Sequence, residues 1–288
     1  MTEPRAADRS PSAAWAAALG GLAVLFLVAT LPLTLLSGQL GDGLVALVIG
    51  IPCAGVGVVV ARRQPGNPLG WLFLAIALCL FVSNDGGDYS YFVYRLGHHV
   101  PFGPAALALD QLWIPGLVLI VVVILLFPDG RLTSRFWRWG LRAFCALYIA
   151  LLAALVAALA GALGAHPLRI DDTGGLVVMD NPTGWFAIAE HSILVVSLIL
   201  SLAFILRQVL SWRRSSGEQR QQLKWLASGA AVTIASLVLG VVFATTGTTT
   251  LLRDWVDNFF WFGLAALPVS MGVAILRYRL YEIDRIIS

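Results

Sequence analysis

The sequence has little charge and few cysteines. Only 12% of its 288 residues are charged and 59% are hydrophobic, with a mean hydropathy of +0.84, whereas soluble domains carry about 25% charged residues. This composition excludes an ordinary soluble domain and predicts an all-α polytopic membrane protein. Cys53, Cys79 and Cys145 lie singly in apolar runs, so their spacing indicates neither a disulfide framework nor a metal cluster.

Known catalytic motifs are also missing. The sequence contains no P-loop, no Gly-x-Gly-x-x-Gly fingerprint after a strand, and no His-Glu-x-x-His zinc helix. The four histidines, His98, His99, His166 and His191, fall on loops or helix ends of one face, away from the basic loops. The sequence therefore predicts no catalytic residues, no cofactor and no metal site.

Long apolar runs occupy most of the chain. They fit membrane helices of about 20 residues better than the shorter, alternating strands of a barrel. The third run is apolar to residue 82 and can continue through Asp85 and Asp88, and Pro115 predicts a kink in the fourth. The runs predict eight membrane helices, at residues 13–36, 44–61, 69–92, 105–127, 139–163, 185–210, 225–245 and 258–276.

The basic residues orient these helices. Of the 19 Lys and Arg residues, only Arg95, Arg169 and Arg253 fall on the face opposite the basic loops. Because cytoplasmic loops are enriched in Lys and Arg, we expect both termini in the cytoplasm and no nucleic-acid partner. The predicted domains are a cytoplasmic tail (1–12), a transmembrane domain (13–276) and a cytoplasmic amphipathic exit helix (277–288).

The exit helix carries an apolar seam. Leu276, Leu280, Ile283 and Ile287 recur at spacings of four, three and four residues, the pattern of a coiled coil or of a helix packed on a partner. They are the predicted signal exit. The alternative is an interfacial tail whose apolar side rests on the membrane while its arginines contact anionic headgroups.

Ionisable residues within the apolar runs give the candidate ligand site. Asp110 lies in the fourth run, and Glu190 and His191 lie in the sixth. Charged groups at membrane depth are costly and usually face a protein or water-filled interior, so these residues, with His98 and His99, predict an outer pocket. The alternative is that the carboxylates are hydrated at the interface and that the histidines are ordinary loop residues.

Four segments resemble a known family. They are RRQPGNPLGW (62–71), LFPDGRL (126–132), EQRQQLKW (218–225) and LRYRLYEIDRII (276–287). These segments are similar to the cytoplasmic-loop signatures in the N-terminal transmembrane region of actinobacterial sensor histidine kinases. The resemblance implies a bacterial plasma-membrane location. In that family the last segment leads into further membrane helices and an ATP-binding kinase module, which this sequence does not contain.

Three functions follow as hypotheses. The first is a membrane-embedded input module of a two-component-type signalling protein, which passes an outer-side or membrane signal through the eighth helix to a cytoplasmic kinase module or partner. The second is a small-solute or ion transporter or channel, and the third is an intramembrane enzyme. The expected partners are the lipid bilayer, a second copy of the chain, and a cytoplasmic kinase or response regulator.

Overall fold

The described part of the protein is helical. The computed structural model describes residues 11–128, 130–132, 134–164, 170, 175, 185–214, 217–245 and 261–287, and no β-strand occurs among them. The helices are α1 (Pro11–Ser37), α2 (Leu40–Arg63), α3 (Pro68–Tyr94), α4 (Gly103–Asp110), α5 (Trp113–Leu126), α6 (Arg135–Leu163), α7 (Trp185–Arg214), α8 (Gly217–Thr245) and α9 (Ala266–Ile287). A helical turn at residues 261–264 precedes α9.

The predicted all-helical class is confirmed, and the chain is a multi-pass membrane protein. Within the described residues, six helical stretches are long and apolar enough to cross a membrane. They are Ser12–Ser37, Gly43–Arg63, Pro68–Tyr94, Gly103–Leu126, Arg135–Gly161 and Arg220–Val242. The count of eight spans and the cytoplasmic location of both termini stay predictions, and residues 1–10 of the predicted tail lie outside the described residues.

Helix α3 is the centre of the bundle, because α1, α2, α4 and α5 all pack against it. Helices α8 and α9 pack on each other, and α9 also contacts α2. We name the two ends of the bundle by their connections: the His98 end carries residues 95–102 after α3, and the Asn67 end carries residues 64–67 before it.

Close packing of α2 on α3 depends on small residues. A Cβ atom on Gly57 would lie 2.8 Å from the backbone nitrogen of Leu74, and one on Gly70 would lie 2.5 Å from that of Ala61. Real side chains do not approach backbone atoms so closely, so these two glycines set the distance between the helices.

The fourth predicted helix is broken four residues before the predicted kink. Helix α4 ends at Asp110 and α5 begins at Trp113. Pro115 has no N–H group to donate to the Gln111 carbonyl, and its ring would clash there in a regular helix. The Ile114 N–H bonds to that carbonyl instead, at 3.3 Å. The proline therefore acts one turn upstream and leaves Asp110 at the end of a short helix.

Two helices begin earlier than their apolar runs predict. Helix α6 starts at Arg135 rather than residue 139, and α8 starts at Gly217 rather than residue 225. Arginine, glutamine and glutamate are good helix formers, and long side chains can hold their charge at the membrane surface. Polar residues therefore extend both helices beyond their apolar runs.

Candidate functional site: a polar cluster and cavity at the His98 end

A row of buried and half-buried polar residues joins α1 to α3 near the His98 end. We call it the α1–α3 polar cluster; its members are Thr30, Thr34 and Ser37 of α1 and Asn84, Asp85 and Asp88 of α3. The α1 residues recur at spacings of four and three, which places them on one helix face. The facing carboxylates are three residues apart, so the two rows meet along one seam.

Asp88 receives hydrogen bonds from three neutral donors. The Thr34 hydroxyl donates to Oδ2 at 2.6 Å, the Ser37 hydroxyl to Oδ1 at 2.7 Å, and the Asn84 amide to Oδ2 at 3.0 Å. The residue is only 3% exposed. Burial of a charge is costly unless hydrogen bonds replace those to water, so this set of donors is suited to holding a carboxylate inside the bundle.

Asp85 has a poorer environment one helical turn away. Its Oδ1 atom lies 2.7 Å from the Thr30 hydroxyl, which also lies 2.9 Å from the Phe26 carbonyl oxygen. Its Oδ2 atom is buried and has no hydrogen-bond partner among the described residues. Because a hydroxyl has one hydrogen, Thr30 can donate to only one of its two neighbours. Asp85 is therefore much less well solvated than Asp88.

A cavity of about 290 Å³ lies beside the polar cluster. Asn84 and Asp88 line it, and Asp85 is not among its lining residues. The other polar lining residues are Gln39, Ser83 and Asp110. The apolar walls come from α2, α3, α5 and the turn before α9; they are Val45, Ala46, Ile49, Leu80, Trp113, Leu117, Ile120, Trp261 and Leu264.

Two glycines of α3 bring Asp110 to this cavity. A Cβ atom on Gly86 would lie 2.8 Å from the Asp110 nitrogen, and one on Gly87 would lie 3.0 Å from its Oδ1 atom. The Ser83 hydroxyl donates to the Asp110 main-chain carbonyl, and the Gln111 amide donates to Asp110 Oδ2 at 3.0 Å. The end of α4 is thus fixed against α3, and a second carboxylate lies in the wall.

The cavity ends on a close-packed layer toward the Asn67 end, which we call the apolar floor. It shares three residues with the cavity wall and leaves a gap of only about 10 Å³. All residues lining that gap are apolar: Ile49, Cys53, Phe73, Ile76, Ile120, Val123, Leu264, Leu267, Pro268 and Met271. Such a gap is at the lower limit for a single water molecule, and it offers no polar partner to hold one.

The predicted ligand residues differ in their position relative to the cavity. Asp110 lines the cavity. His98 and His99 are exposed in the connection after α3 and are not among the lining residues, and the His98 ring stacks on Phe92 at 4.0 Å. Glu190 and His191 belong to α7, but their side chains lie outside the described residues. Among described residues no group of three or more His, Cys, Asp or Glu side chains could hold a metal ion.

The polar cluster beside the cavity was not predicted from the sequence. Asp85 and Asp88 were noticed only as a continuation of the third apolar run, although their three-residue spacing puts them on one helix face. The Thr30, Thr34 and Ser37 spacing was the matching signal on α1. A search for polar residues at helical spacing within membrane runs would have found both rows, because such residues are usually turned inward.

The Asn67 end brings several segments of the family resemblance together. A Cβ atom on Gly130 would lie 2.7 Å from Asn67 Oδ1, so the segments 62–71 and 126–132 are in contact. Leu69, Phe127 and Leu223 are buried members of one hydrophobic cluster, against which Trp225 and Leu276 pack. The resemblance therefore rests on segments whose residues pack into one hydrophobic core.

Helix α7 holds the end of α5 at the same place. The Gln208 amide donates to the carbonyl oxygens of Leu125 and Phe127 at 3.3 and 3.0 Å, and the Arg207 guanidinium donates to that of Leu125 at 3.0 Å. The last carbonyl groups of a helix lack partners within the helix. These two side chains satisfy them and fix α7 against α5.

Comparisons with protein-family models, with curated proteins and with solved structures give no match to this chain. The resemblance to sensor histidine kinases stays a prediction, and the function has to be argued from the site.

Proposed function

We propose that this protein is a membrane-embedded input module of a two-component-type signalling system in the bacterial plasma membrane. In this proposal the His98 end faces outward and its cavity receives the signal. The response leaves through α9 to a cytoplasmic kinase module, a response regulator or another partner. The observation that carries the proposal is that one helical segment lines the cavity, forms part of the floor and continues to the opposite end.

The path of that segment can be followed residue by residue. Trp261 and Leu264 line the cavity, Leu267 and Met271 lie in the apolar floor, and Ile275 is buried in the core. The helix continues to Ile287, beyond the predicted exit residue Leu276. The side chains of the other exit residues, Leu280, Ile283 and Ile287, lie outside the described residues. A change at the cavity wall therefore has a continuous mechanical connection to the exit.

The segment also has a weak point next to the cavity. Residues 261–264 are helical, Ala265 is a turn, and α9 starts at the next residue. Pro268 supplies no N–H to the Leu264 carbonyl, and the Val269 N–H lies 3.5 Å from the Ala265 carbonyl oxygen, a long hydrogen bond. Such an interruption can adopt two packings, and a ligand that favours one of them shifts the population.

The closed floor favours sensing over transport. A transporter or channel needs polar groups along its path, whereas the described residues that line the gap directly below the cavity are all apolar. An intramembrane enzyme needs an activated nucleophile or a metal set; the hydroxyl of the lining residue Ser83 donates to the Asp110 main-chain carbonyl rather than to a side-chain base. A bound molecule can change helix packing here without crossing the bundle.

The proposal is tested by filling the cavity without any natural ligand. In a variant with Cys53, Cys79 and Cys145 replaced by alanine, Val45→Cys places a thiol in the cavity wall. Its reaction with a benzyl thiosulfonate reagent would occupy the cavity. We expect a several-fold change in amide hydrogen exchange across residues 277–287, measured by mass spectrometry in lipid nanodiscs, because exchange reports local opening.

The matched control is Leu44→Cys, the neighbouring residue of α2, which is exposed on the bundle surface. The same adduct there should leave exchange in residues 277–287 unchanged. Equal exchange with and without the Val45→Cys adduct would contradict the input-module proposal, since a filled cavity would then have no effect on the exit helix.

A further inference from the structure

We infer that a groove on the surface of the bundle binds one acyl chain of an anionic phospholipid, whose phosphate contacts Arg62 and Arg63. We call it the α2–α9 groove. It lies between residues 51–56 of α2 and residues 269–276 of α9, and its volume is about 590 Å³. It shares no lining residue with the cavity at the His98 end, so the inference does not depend on the input module.

The groove combines a tight helix contact with an open glycine. A Cβ atom on Gly272 would lie 2.3 Å from the Cγ2 atom of Val56, so α2 and α9 are in close contact there. Nothing lies within 4 Å of a Cβ atom on the neighbouring Gly55, and Ile51 and Val269 are exposed at the groove. The missing side chain of Gly55 therefore leaves room beside the helix contact.

The groove lies at membrane depth. Residues 51–56 are in the middle of the membrane span Gly43–Arg63, and all residues that line the groove are aliphatic, proline or glycine. The atoms that line an empty space lose their van der Waals contacts on that side. The tail of a bilayer lipid offers a matching aliphatic surface, and such tails surround the bundle at this depth.

Two arginines lie on the same face of α2, nearer the Asn67 end. Arg62 follows Gly55 by seven residues and Arg63 follows Pro52 by eleven, spacings close to two and three full turns of an α-helix. The rise of the helix places Arg62 about 10 Å from Gly55 along its axis, and half of a bilayer's hydrocarbon core is about 15 Å thick. A lipid whose phosphate is at these arginines can therefore place its tail in the groove.

The arginines select an anionic lipid. Both side chains are exposed at the end of the span, and a guanidinium group can bind phosphate oxygens through two parallel hydrogen bonds. A phosphatidylglycerol headgroup carries a net negative charge, whereas the phosphate of phosphatidylcholine is balanced by its own ammonium group. Surface arginines attract anionic lipids, so the same tail should bind more tightly on phosphatidylglycerol.

A helix of a second copy fits the groove less well. Without a hydrophobic driving force between them, membrane helices associate through small residues that allow close approach, or through polar side chains. The groove has no polar lining residue. Of its two glycines, Gly272 is buried against Val56, so only Gly55 offers a small surface to a partner.

The test is photocross-linking of the purified full chain in phosphatidylcholine proteoliposomes. They contain a trace of either phosphatidylglycerol or phosphatidylcholine, each with the same diazirine in one acyl chain. Mass spectrometry measures the adducts on residues 51–56 and 269–276, relative to those on the exposed residues Ile234, Val238 and Val241 of α8. We expect this relative yield to be at least about fivefold higher for the phosphatidylglycerol probe.

Filling the groove should remove the adducts. Gly55→Leu places a side chain in the open space and should lower the phosphatidylglycerol yield in the groove at least about fivefold. Gly21→Leu in α1 is the matched control, since this glycine is also exposed and has nothing within 4 Å of a Cβ atom. Gel filtration checks folding; if Gly55→Leu is not folded, Val269→Trp fills the groove from α9 and should cause the same loss.

Removing the arginines should abolish the headgroup preference alone. In the double variant Arg62→Gln/Arg63→Gln, both probes should label the groove with a yield ratio of about one, because the tail site is intact. The control Arg135→Gln/Arg138→Gln removes the same charge from the exposed start of α6 and should keep the wild-type ratio.

Three results would overturn the inference. The first is an equal relative yield of the two probes in the wild type, which would remove the selection of an anionic headgroup. The second is an unchanged yield in folded Gly55→Leu or Val269→Trp. The third is a groove without lipid adducts, which would show that another occupant, such as a second copy of the chain, covers it.

Discussion

The two ends of the bundle are built on opposite principles. At the His98 end, buried hydroxyl, amide and carboxyl groups surround a cavity that could hold a small molecule. At the Asn67 end, Leu69, Phe127 and Leu223 form a close-packed core, and the helix ends are fixed by Gln208 and Arg207. The same helices, α2, α3 and α5, contribute to both regions.

The difference indicates what each end of the bundle is suited to do. Close packing resists change, so the Asn67 end keeps its connections in register. A cavity with charged groups costs stability, and such costs are usually retained where a ligand compensates for them. Helix α9 and its preceding turn connect the two regions, so in the proposed input module they would pass a change in cavity packing to residues 277–287.

The largest effect is expected from overpacking the contact between α2 and α3. Gly57→Leu puts a side chain into the backbone of α3 at Leu74 and should lower the free energy of unfolding by about 3 kcal/mol, the upper range for overpacking. Gly55→Leu is the control, since nothing lies within 4 Å of a Cβ atom there. Its effect should stay within about 0.5 kcal/mol. Denaturation in mixed micelles measures both, and equal losses would show that α2 and α3 are not so close.

A smaller effect is expected at the His98 end, in the α1–α3 polar cluster. Asp88→Ala removes the acceptor of three hydrogen-bond donors and should lower the free energy of unfolding by about 2 kcal/mol. The loss is not larger because the Ser37 hydroxyl keeps an alternative acceptor, the Thr34 carbonyl oxygen, 3.2 Å away. Asp85→Ala removes a buried oxygen that has no partner among the described residues, and Thr30 keeps the Phe26 carbonyl. Asp85→Ala should therefore change the free energy of unfolding by no more than about 0.5 kcal/mol.

Thermal unfolding of the two alanine variants measures this contrast. The carboxylates are neighbours on the same helix face, so general effects of the substitution on α3 are the same for both. A larger loss for Asp85→Ala than for Asp88→Ala would contradict the hydrogen-bond assignments of the polar cluster.

Much of the fold could be predicted, because membrane helices follow from the length of apolar runs. The runs gave the helical class and the approximate bounds of α1, α2 and α3. They did not give the ends of α6 and α8, since polar residues continue those helices at the membrane surface. Pro115 predicted the disturbance of the fourth helix, but the break appears at Gln111, where the missing hydrogen bond leaves a carbonyl group without its usual donor.

The site was less accessible to sequence reasoning. Asp110 was recognised as an ionisable residue in an apolar run, whereas Asp88 and Asn84 were not assigned a role because they follow the apolar part of their helix. Their significance depends on Thr34 and Ser37, which lie about 50 residues away, and on glycines that bring α4 against α3. The helical spacing of polar residues marks each row in the sequence, but which rows pack together has no local signal in a single sequence.

Thiol accessibility tests the central contrast between a cavity with polar walls and an apolar floor. In the variant without native cysteines, Ser83→Cys lies in the cavity wall and Ile76→Cys lies in the floor, two turns away on the same helix. A membrane-impermeant, water-soluble thiosulfonate reagent should modify Ser83→Cys from one side of proteoliposomes and leave Ile76→Cys unmodified from either side. Equal reaction at both positions would show a continuous water path through the bundle and would contradict the sealed input module.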